Sequence, residues 1–312
     1  MPRIFVSGSV AYDRIMSFPG LFKDHFLADK LHNINVSFQI DSLVQHFGGT
    51  AGNIAYNLAF LGEKPTILAN TGKDFSSYAE HLAKNGISSE SLQPIEEMFT
   101  SVAHIVTDRG DNQIAAFYMG AGEKPYGKDF GVEKGDIVIV GAGNIVDMEM
   151  LPSVAKKAGA TFFFDPGQAI PALSPEVLRS GMENSSALFV NDYELAMILQ
   201  KTGWDESEIA ARVSVLLVTV GKEGSRVITK DGEIRVPAVP AKEVKDPTGA
   251  GDAYRAGYIK GFKAGKNPEE CAKLASAVAV YAVESLGTQD HLFTIEELKK
   301  RYQSAYKEAL EI

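Results

Sequence analysis

Asp246-Pro247-Thr248-Gly249-Ala250-Gly251-Asp252-Ala253 is the stretch on which the reading of this chain turns. It runs into Tyr254-Arg255-Ala256-Gly257-Tyr258-Ile259, a helical pattern, so the Gly-Ala-Gly turn opens a helix. A helix start of this kind leaves backbone N–H groups unpaired, here those of Gly249, Ala250 and Gly251. With the positive end of the helix dipole behind them, they form an anion site. Asp252, taken alone, is an N-terminal cap. Beside an anion hole it also stands where a base deprotonates a hydroxyl that attacks a phosphoryl group.

A second glycine-rich segment is Gly48-Gly49-Thr50-Ala51-Gly52-Asn53-Ile54-Ala55-Tyr56-Asn57-Leu58-Ala59. Two glycines ahead of an Asn-bearing helix let a ligand approach the backbone closely, and Asn53 can both donate and accept hydrogen bonds. The same pattern also fits a helix packed tightly on a strand through glycine, and the segment alone does not separate the two.

Outward from these segments, short apolar runs alternate with helical patterns. Strands are expected at 3–8, 66–71, 136–142, 161–165, 187–191 and 214–220. Helices are expected at 51–61, 76–85, 147–158, 175–184, 193–202, 206–213, 250–264, 268–286 and 294–310. Continuous apolar strands separated by helices predict an α/β fold, a parallel sheet covered on both faces. Two stretches depart from this rhythm. Residues 14–46 alternate polar and apolar side chains, with Asn33, Asn35 and Ser37 against Ile34, Val36 and Phe38. Residues 100–119 read as strands Ser101–Thr107 and Gln113–Met119 around an Arg109-Gly110-Asp111-Asn112 turn. Both suggest half-exposed strands of a small separate sheet.

The 312 residues carry a net charge of −9, which argues against a nucleic-acid polymer as partner, since phosphate contacts need surplus Lys and Arg. Small phosphorylated ligands held by backbone N–H groups remain open. Cys271 is the single cysteine, in an alanine-rich helical pattern, and reads as a small core residue. The six histidines form no metal-binding spacing. Leu274 to Val283, the longest nearly apolar run, is far short of the ~20 residues a membrane span needs, and no signal-type apolar run follows Met1. A Rossmann dinucleotide site is not supported, because Gly141-Ala142-Gly143 meets Val146 where the third glycine belongs.

Four elements in order resemble the ribokinase, or PfkB, family of ATP-dependent small-molecule kinases. They are the 48–59 and 246–253 segments, Asn191-Asp192-Tyr193-Glu194, and Thr219-Val220-Gly221-Lys222-Glu223-Gly224. The last two are unspecific by themselves, a helix start and a turn between strands. Where many sugar kinases of the family read D-T-G-A-G-D, this chain has Pro247 between Asp246 and Thr248. Together with Gly8-Ser9-Val10-Ala11-Tyr12-Asp13, Phe18-Pro19-Gly20, Ser37-Phe38 and Gln113–Gly120, this is similar to the nucleoside-kinase branch that includes bacterial adenosine kinases.

The resemblance implies one ribokinase-like domain over residues 1–312, a three-layer α/β/α fold with a central, mostly parallel sheet. A small β-sheet lid would come from about 14–46 and 100–119. It implies transfer of the ATP γ-phosphoryl group to the 5′-hydroxyl of a purine nucleoside, adenosine foremost, in nucleoside salvage in the cytoplasm. A sugar kinase on a ribose- or fructose-type acceptor is the alternative, and a non-catalytic nucleoside-binding protein a third reading. Carried over, Asp252 takes the proton and the N–H groups of Gly249, Ala250, Gly251 and Asp252 hold the transferring oxygens. Asp13, Gly49 and Asn53 bind the ribose; Ser9 and Ser37 neighbour the base; Phe117 stacks on it and Gln168 reads a purine edge. Thr219, Gly221 and Gly224 line ATP with Asn191, while Asn191 and Glu194 organise Mg²⁺ through water. A monovalent cation such as K⁺ is expected near 246–248 and 285–289. The partners are then nucleoside and ATP, with no nucleic-acid polymer and no membrane, and monomer and homodimer both stay open. One departure stands out: Thr100-Ser101-Val102-Ala103-His104 supplies no second aromatic for the base.

Overall fold

The computed structural model describes residues 2–26, 32–183 and 185–312. Strand β1 (Ile4–Ser7) leads to β2 (Ala11–Ser17), β3 (Ser42–Gly48), α1 (Thr50–Phe60), β4 (Pro65–Leu68) and β5 (Asn70–Gly72). Then come α2 (Ser76–Lys84), β6 (Gln93–Ile95), β7 (Ser101–Thr107) and β8 (Gln113–Tyr118). A regular alternation follows: β9 (Ile137–Val140), α3 (Ile145–Ala158), β10 (Thr161–Phe164), α4 (Pro175–Met182), β11 (Ala187–Asn191) and α5 (Asp192–Thr202). After α6 (Glu206–Ala210) and β12 (Leu216–Thr219) lies the hairpin β13 (Ser225–Thr229) and β14 (Gly232–Val236). Three further helices are α7 (Ala250–Lys263), α8 (Pro268–Val283) and α9 (Ile295–Tyr306).

The central sheet has the order β14-β13-β12-β11-β10-β9-β1-β4. Every pair from β4 to β12 is parallel, and β13 runs antiparallel to both its neighbours. The strands are apolar throughout because both faces are buried. In β9, Ile137 and Ile139 join the cluster under α1, α2, α7, α8 and α9, while Val138 and Val140 join that under α3, α4, α5 and α6. The Phe162-Phe163-Phe164 run of β10 divides in the same way, Phe163 to the first cluster and its neighbours to the second. Full burial of each such side chain contributes about 1.5–3 kcal/mol. The result is three layers, helices on both sides of the sheet.

Helices α7 and α8 lie unusually close. A Cβ on Gly257 would sit 2.7 Å from Ala275 Cα, and one on Gly261 would sit 3.0 Å from Cys271 Cα. Cys271 is therefore a small core residue, and burial pushes its thiol up to about 12.

The smaller sheet has the order β3-β2-β7-β8. Register puts Asp13 opposite both His46 and Ala103, and Ala103 opposite Phe117, so one row on one face reads His46-Asp13-Ala103-Phe117. The neighbouring positions Tyr12, Phe47 and Val102 point the other way, into the large core. The sheet is drawn from both stretches that broke the helical rhythm.

Several expectations need correction. The Asn33–Phe38 alternation forms no strand: Phe38 packs among Phe18, Phe22, His25 and Phe26, and that aromatic cluster takes the place of a ladder. The 66–71 run is two strands, β4 and β5, the second pairing with β6 rather than continuing the central sheet. The 294–310 helix ends at Tyr306, where Lys307 turns left-handed at φ 61°. The 206–213 and 268–286 helices likewise stop at Ala210 and Val283. Residues 27–31 of the first unusual stretch, and position 184 of the 175–184 helix, lie outside the described residues.

Candidate active site

Three helix N-termini converge where the parallel strands end. A cavity of about 230 Å³ is lined by Thr50 of α1, Asn191 and Glu194 at α5, Thr219 closing β12, and Gly249, Gly251, Asp252 and Arg255 at α7. Asp165, Gly167 and Gln168, just beyond β10, complete it. Ligands of open α/β sheets bind at this edge, outside the carboxyl ends of the strands.

In the turn into α7 the Ala250 N–H, expected to be unpaired, donates to the Pro247 carbonyl at 3.2 Å, a local turn bond that takes it out of the anion site. Gly249 caps the helix in the left-handed region, at φ 79° and ψ −6°, without any side-chain cap. A Cβ on Gly251 would lie 2.8 Å from Arg255 Nη1. Asp252, in the first turn, accepts a hydrogen bond from Asn53 Nδ2 at 2.8 Å. Burial pushes its carboxyl up to about 7, against the pull of the Asn53 N–H; the charges of Asp165 and Glu194 push the same way and Arg255 opposes them. Arg255 itself grips Asp165 with two bonds, Nε to Oδ2 at 3.0 Å and Nη2 to Oδ1 at 2.8 Å.

Asn191 and Glu194 form a reciprocal cap on α5. Asn191 Oδ1 accepts from Glu194 N at 2.7 Å, and Glu194 Oε2 accepts from Asn191 N at 2.8 Å. Burial raises the Glu194 carboxyl, with Arg255 drawing it back. Among the described residues no three His, Cys, Asp or Glu side chains converge as a metal cluster. The oxygen donors that remain here, the second Glu194 oxygen and the Thr219 hydroxyl, are hard ligands of the kind that suit Mg²⁺ held through water and ligand phosphates.

Asp13 lies below the other glycine pair. A Cβ on Gly48 would overlap Asp13 Oδ2, and one on Gly49, at φ 87°, would sit 2.6 Å from Ser9 O. Burial raises the Asp13 carboxyl, while His46 lowers it and Asp246 raises it further. Asn53 joins this half of the site to Asp252.

Of the remaining expected residues, Gln168 lines this cavity and Ser9, Ser37, Phe117, Gly221 and Gly224 do not. Gln168, expected at a purine edge, lines the Asp252 cavity, its Nε2 donating to Thr50 Oγ1 at 3.3 Å. The Ser9 hydroxyl accepts from Thr50 N at 3.1 Å at the start of α1, and its own O–H is left to donate. Ser37 is exposed in the irregular 32–41 stretch, and Phe117 is 55% exposed on β8. Gly224 closes its turn with φ 101°, and a Cβ there would overlap Val236 O; packing on β14 accounts for that glycine. Around Gly221 a Cβ would meet nothing within 4 Å. Asp246 accepts from Thr248 N at 2.9 Å and from Gly287 N at 3.3 Å, which sets the 246–248 and 285–289 segments side by side. The structure also adds residues that sequence reasoning did not single out: Thr50, Tyr78, His81, Asp165, Arg255 and Gln289.

The pfkB family carbohydrate kinase pattern matches residues 7–295. The chain belongs to that family. This kinase is 35% identical over 286 residues to the nucleoside kinase of Methanocaldococcus jannaschii, covering 89% of this chain and 92% of that one. Among solved structures, the nucleoside kinase of Burkholderia thailandensis in complex with inosine superposes with a TM-score of 0.86 at 35% identity, over 98% of this chain and 99% of that one. The crystal structure of the M. jannaschii enzyme gives 0.85 at 33% identity, over 97% and 99% of the two chains. The fold of this kinase is thus ribokinase-like, a large mostly parallel sheet between helices with a smaller sheet beside it. Among its described residues no helix is long and apolar enough to cross a membrane.

Proposed function

We propose that this kinase transfers the γ-phosphoryl group of ATP to the 5′-hydroxyl of a purine nucleoside, adenosine foremost, as a step of nucleoside salvage. One observation carries the reading: Asn53, the residue suited to the ribose, donates to Asp252, the residue suited to take the proton. A single hydrogen bond thus joins the residue proposed to bind the acceptor to the proposed base. The M. jannaschii relative and the inosine complex of the B. thailandensis enzyme support a nucleoside as acceptor.

In the proposed reaction the 5′-oxygen forms a bond to the γ-phosphorus as the bond to the β,γ-bridging oxygen breaks. The hydroxyl proton passes to Asp252, and ADP leaves with the bonding electrons. N–H groups of Gly249, Gly251 and Asp252 hold the oxygens of the transferring group, a positioning and electrostatic role. Bound Mg²⁺ would neutralise phosphate charge, with Glu194 and Asn191 holding its water shell. Asp13 accepts from the vicinal ribose hydroxyls, Phe117 covers the base, and Thr219 with Gly221 borders the nucleotide. The smaller sheet serves as a lid that excludes water from ATP. A monovalent cation such as K⁺ would sit between Asp246 and the 285–289 segment.

The test is ATP-dependent phosphorylation of adenosine, inosine, guanosine, cytidine, ribose and fructose in one panel. Adenosine is expected to give the highest kcat/KM. Preference for ribose or fructose would replace this reading with a sugar kinase, and nucleoside binding without turnover would replace it with a binding protein.

A further inference from the structure

Behind Asn53 a chain of buried polar groups runs away from the cavity. Gln289 Nε2 donates to Asn53 Oδ1 at 2.9 Å and to Tyr78 Oη at 2.6 Å. Tyr78 Oη donates to the Gly48 carbonyl at 2.7 Å, and His81 Nε2 lies 3.0 Å from Gln289 Oε1. The direction of every bond follows from one end. The Gly48 carbonyl can only accept, so the Tyr78 hydroxyl must donate to it and in turn accept from Gln289. That identifies the Gln289 amine as the group between Tyr78 and Asn53, and so turns the Asn53 carbonyl toward Gln289. Only the Asn53 N–H is then left to face Asp252. At the other end, Gln289 Oε1 needs a donor, which is His81 Nε2–H; burial keeps that ring's affinity for a second proton low.

The fold makes room for this chain. A Cβ on Gly52 would overlap Tyr78 Oη and lie 3.0 Å from Gln289 Nε2, so the glycine between Ala51 and Asn53 is the space the relay occupies. Tyr78 and Gln289 are buried, and His81 is clamped between Phe47 and Tyr56, nearly parallel to both rings at 4.1 and 5.6 Å. Such a fully satisfied buried network fixes one arrangement of its members.

We propose that Gln289, fixed by Tyr78 and His81, is a positioning residue that presents the Asn53 N–H, rather than its carbonyl, to the Asp252 carboxylate. The proposal rests on Asp252 acting as the base. The other charged groups bearing on Asp252 are Asp165, Arg255 and Glu194, and none of them belongs to the relay.

The experiment compares kcat, nucleoside KM and the pH profile of kcat for Gln289→Glu, Gln289→Leu, His81→Phe and Asp252→Asn. Gln289→Glu puts an acceptor where the amine stood, so the Asn53 amide turns over and its carbonyl faces Asp252. Ionised Asp252 is then disfavoured, kcat falls between about 10- and 100-fold, and the acid limb moves to higher pH. Gln289→Leu and His81→Phe add no charge and shift the limb in the same direction by less. His81→Phe keeps the ring stack, so it carries the test if the Gln289 variants do not fold. An effect confined to Gln289→Glu reduces the result to through-space charge and overturns the relay, as does an unmoved limb in the folded neutral variants. Wild-type turnover in Asp252→Asn instead removes the base assignment itself, an outcome separable from the others.

Discussion

Arg255 and Asp165 form a two-pronged ion pair under the N-terminus of α7, with side chains only 7% and 4% exposed. The pair ties the start of α7, which carries Asp252, to the segment just beyond β10, which carries Gln168. Removing one partner of such a pair leaves a buried charge uncompensated, at about 3–5 kcal/mol. Arg255→Met is therefore expected to lose that much stability in urea unfolding. Adding Asp165→Asn should recover a substantial part of it, because the orphaned charge goes too. A double variant as unstable as the sum of the singles would show that the two residues do not act as a pair.

Asp252→Asn removes the proton acceptor and keeps the size of the side chain. The amide carbonyl that replaces the carboxylate can still accept from Asn53 Nδ2, so the geometry survives. Turnover is expected to fall ~10²–10⁴-fold, with nucleoside affinity in equilibrium binding largely retained. Near-normal turnover would contradict the assignment.

The pH dependence follows from burial of the same carboxyl, which stands at about 7. A base must be ionised, so kcat/KM is expected to climb as pH rises through 7 and to level off above it. Stability runs the opposite way. With the folded value raised above the ordinary carboxylate range, the folded state favours the protonated form. That contribution is complete at acid pH below the ordinary range and is lost as pH rises through about 7. The melting-temperature difference between Asp252→Asn and wild type should thus grow in favour of the variant from pH 5 to pH 8. A constant difference across that range would mean that Asp252 is not titrating there.

What the sequence discloses follows from how local each signal is. The α7 turn and the glycine pair at 48–49 are contiguous, and Gly249 and Gly49 each precede a helix with positive φ, 79° and 87°. Apolar runs buried on both faces were likewise plain in β9 and β10. The hairpin of β13 and β14 had a signal that went unused, alternation on either side of Lys230-Asp231-Gly232. The relay and the ion pair had none. Gln289 lies 236 positions from Asn53 and Arg255 90 from Asp165, and a lone Gln or Arg in a helical or loop pattern does not name a partner. Asn33–Phe38 misled because only Phe38 of its apolar positions packs in the aromatic cluster, while Ile34 is exposed.

Gly249 tests the anion turn by backbone alone. Gly249→Ala imposes a side chain at φ 79°, where its Cβ would lie 2.9 Å from Thr288 Cβ. Left-handed strain of this kind costs of order 1–3 kcal/mol. Relief by rotation would swing the N–H groups out of line with the cavity. The variant is expected to melt earlier and to show a larger KM for ATP together with reduced kcat. A variant that loses stability but keeps both constants would separate the turn from phosphate binding.

Phe117 tests the base end, and it does so with little risk to folding. All of β8 is exposed, and Phe117 shares its row with Asp13 through Ala103. Two strand spacings, about 10 Å, separate the two backbone positions, a span that a nucleoside bridges with ribose at one end and base at the other. Base–aromatic stacking is worth about 1–3 kcal/mol, which is roughly a 5- to 150-fold change in affinity. Phe117→Ala is therefore expected to raise the nucleoside KM within that range while leaving kcat near its original value, because nothing between Asn53 and Asp252 has moved. Loss of an exposed side chain should leave stability within about ±0.5 kcal/mol. Free ribose has no base to stack, so any activity on ribose should be indifferent to the substitution. Equal losses on ribose and nucleoside would place the effect in the small sheet as a whole and remove Phe117 from base recognition.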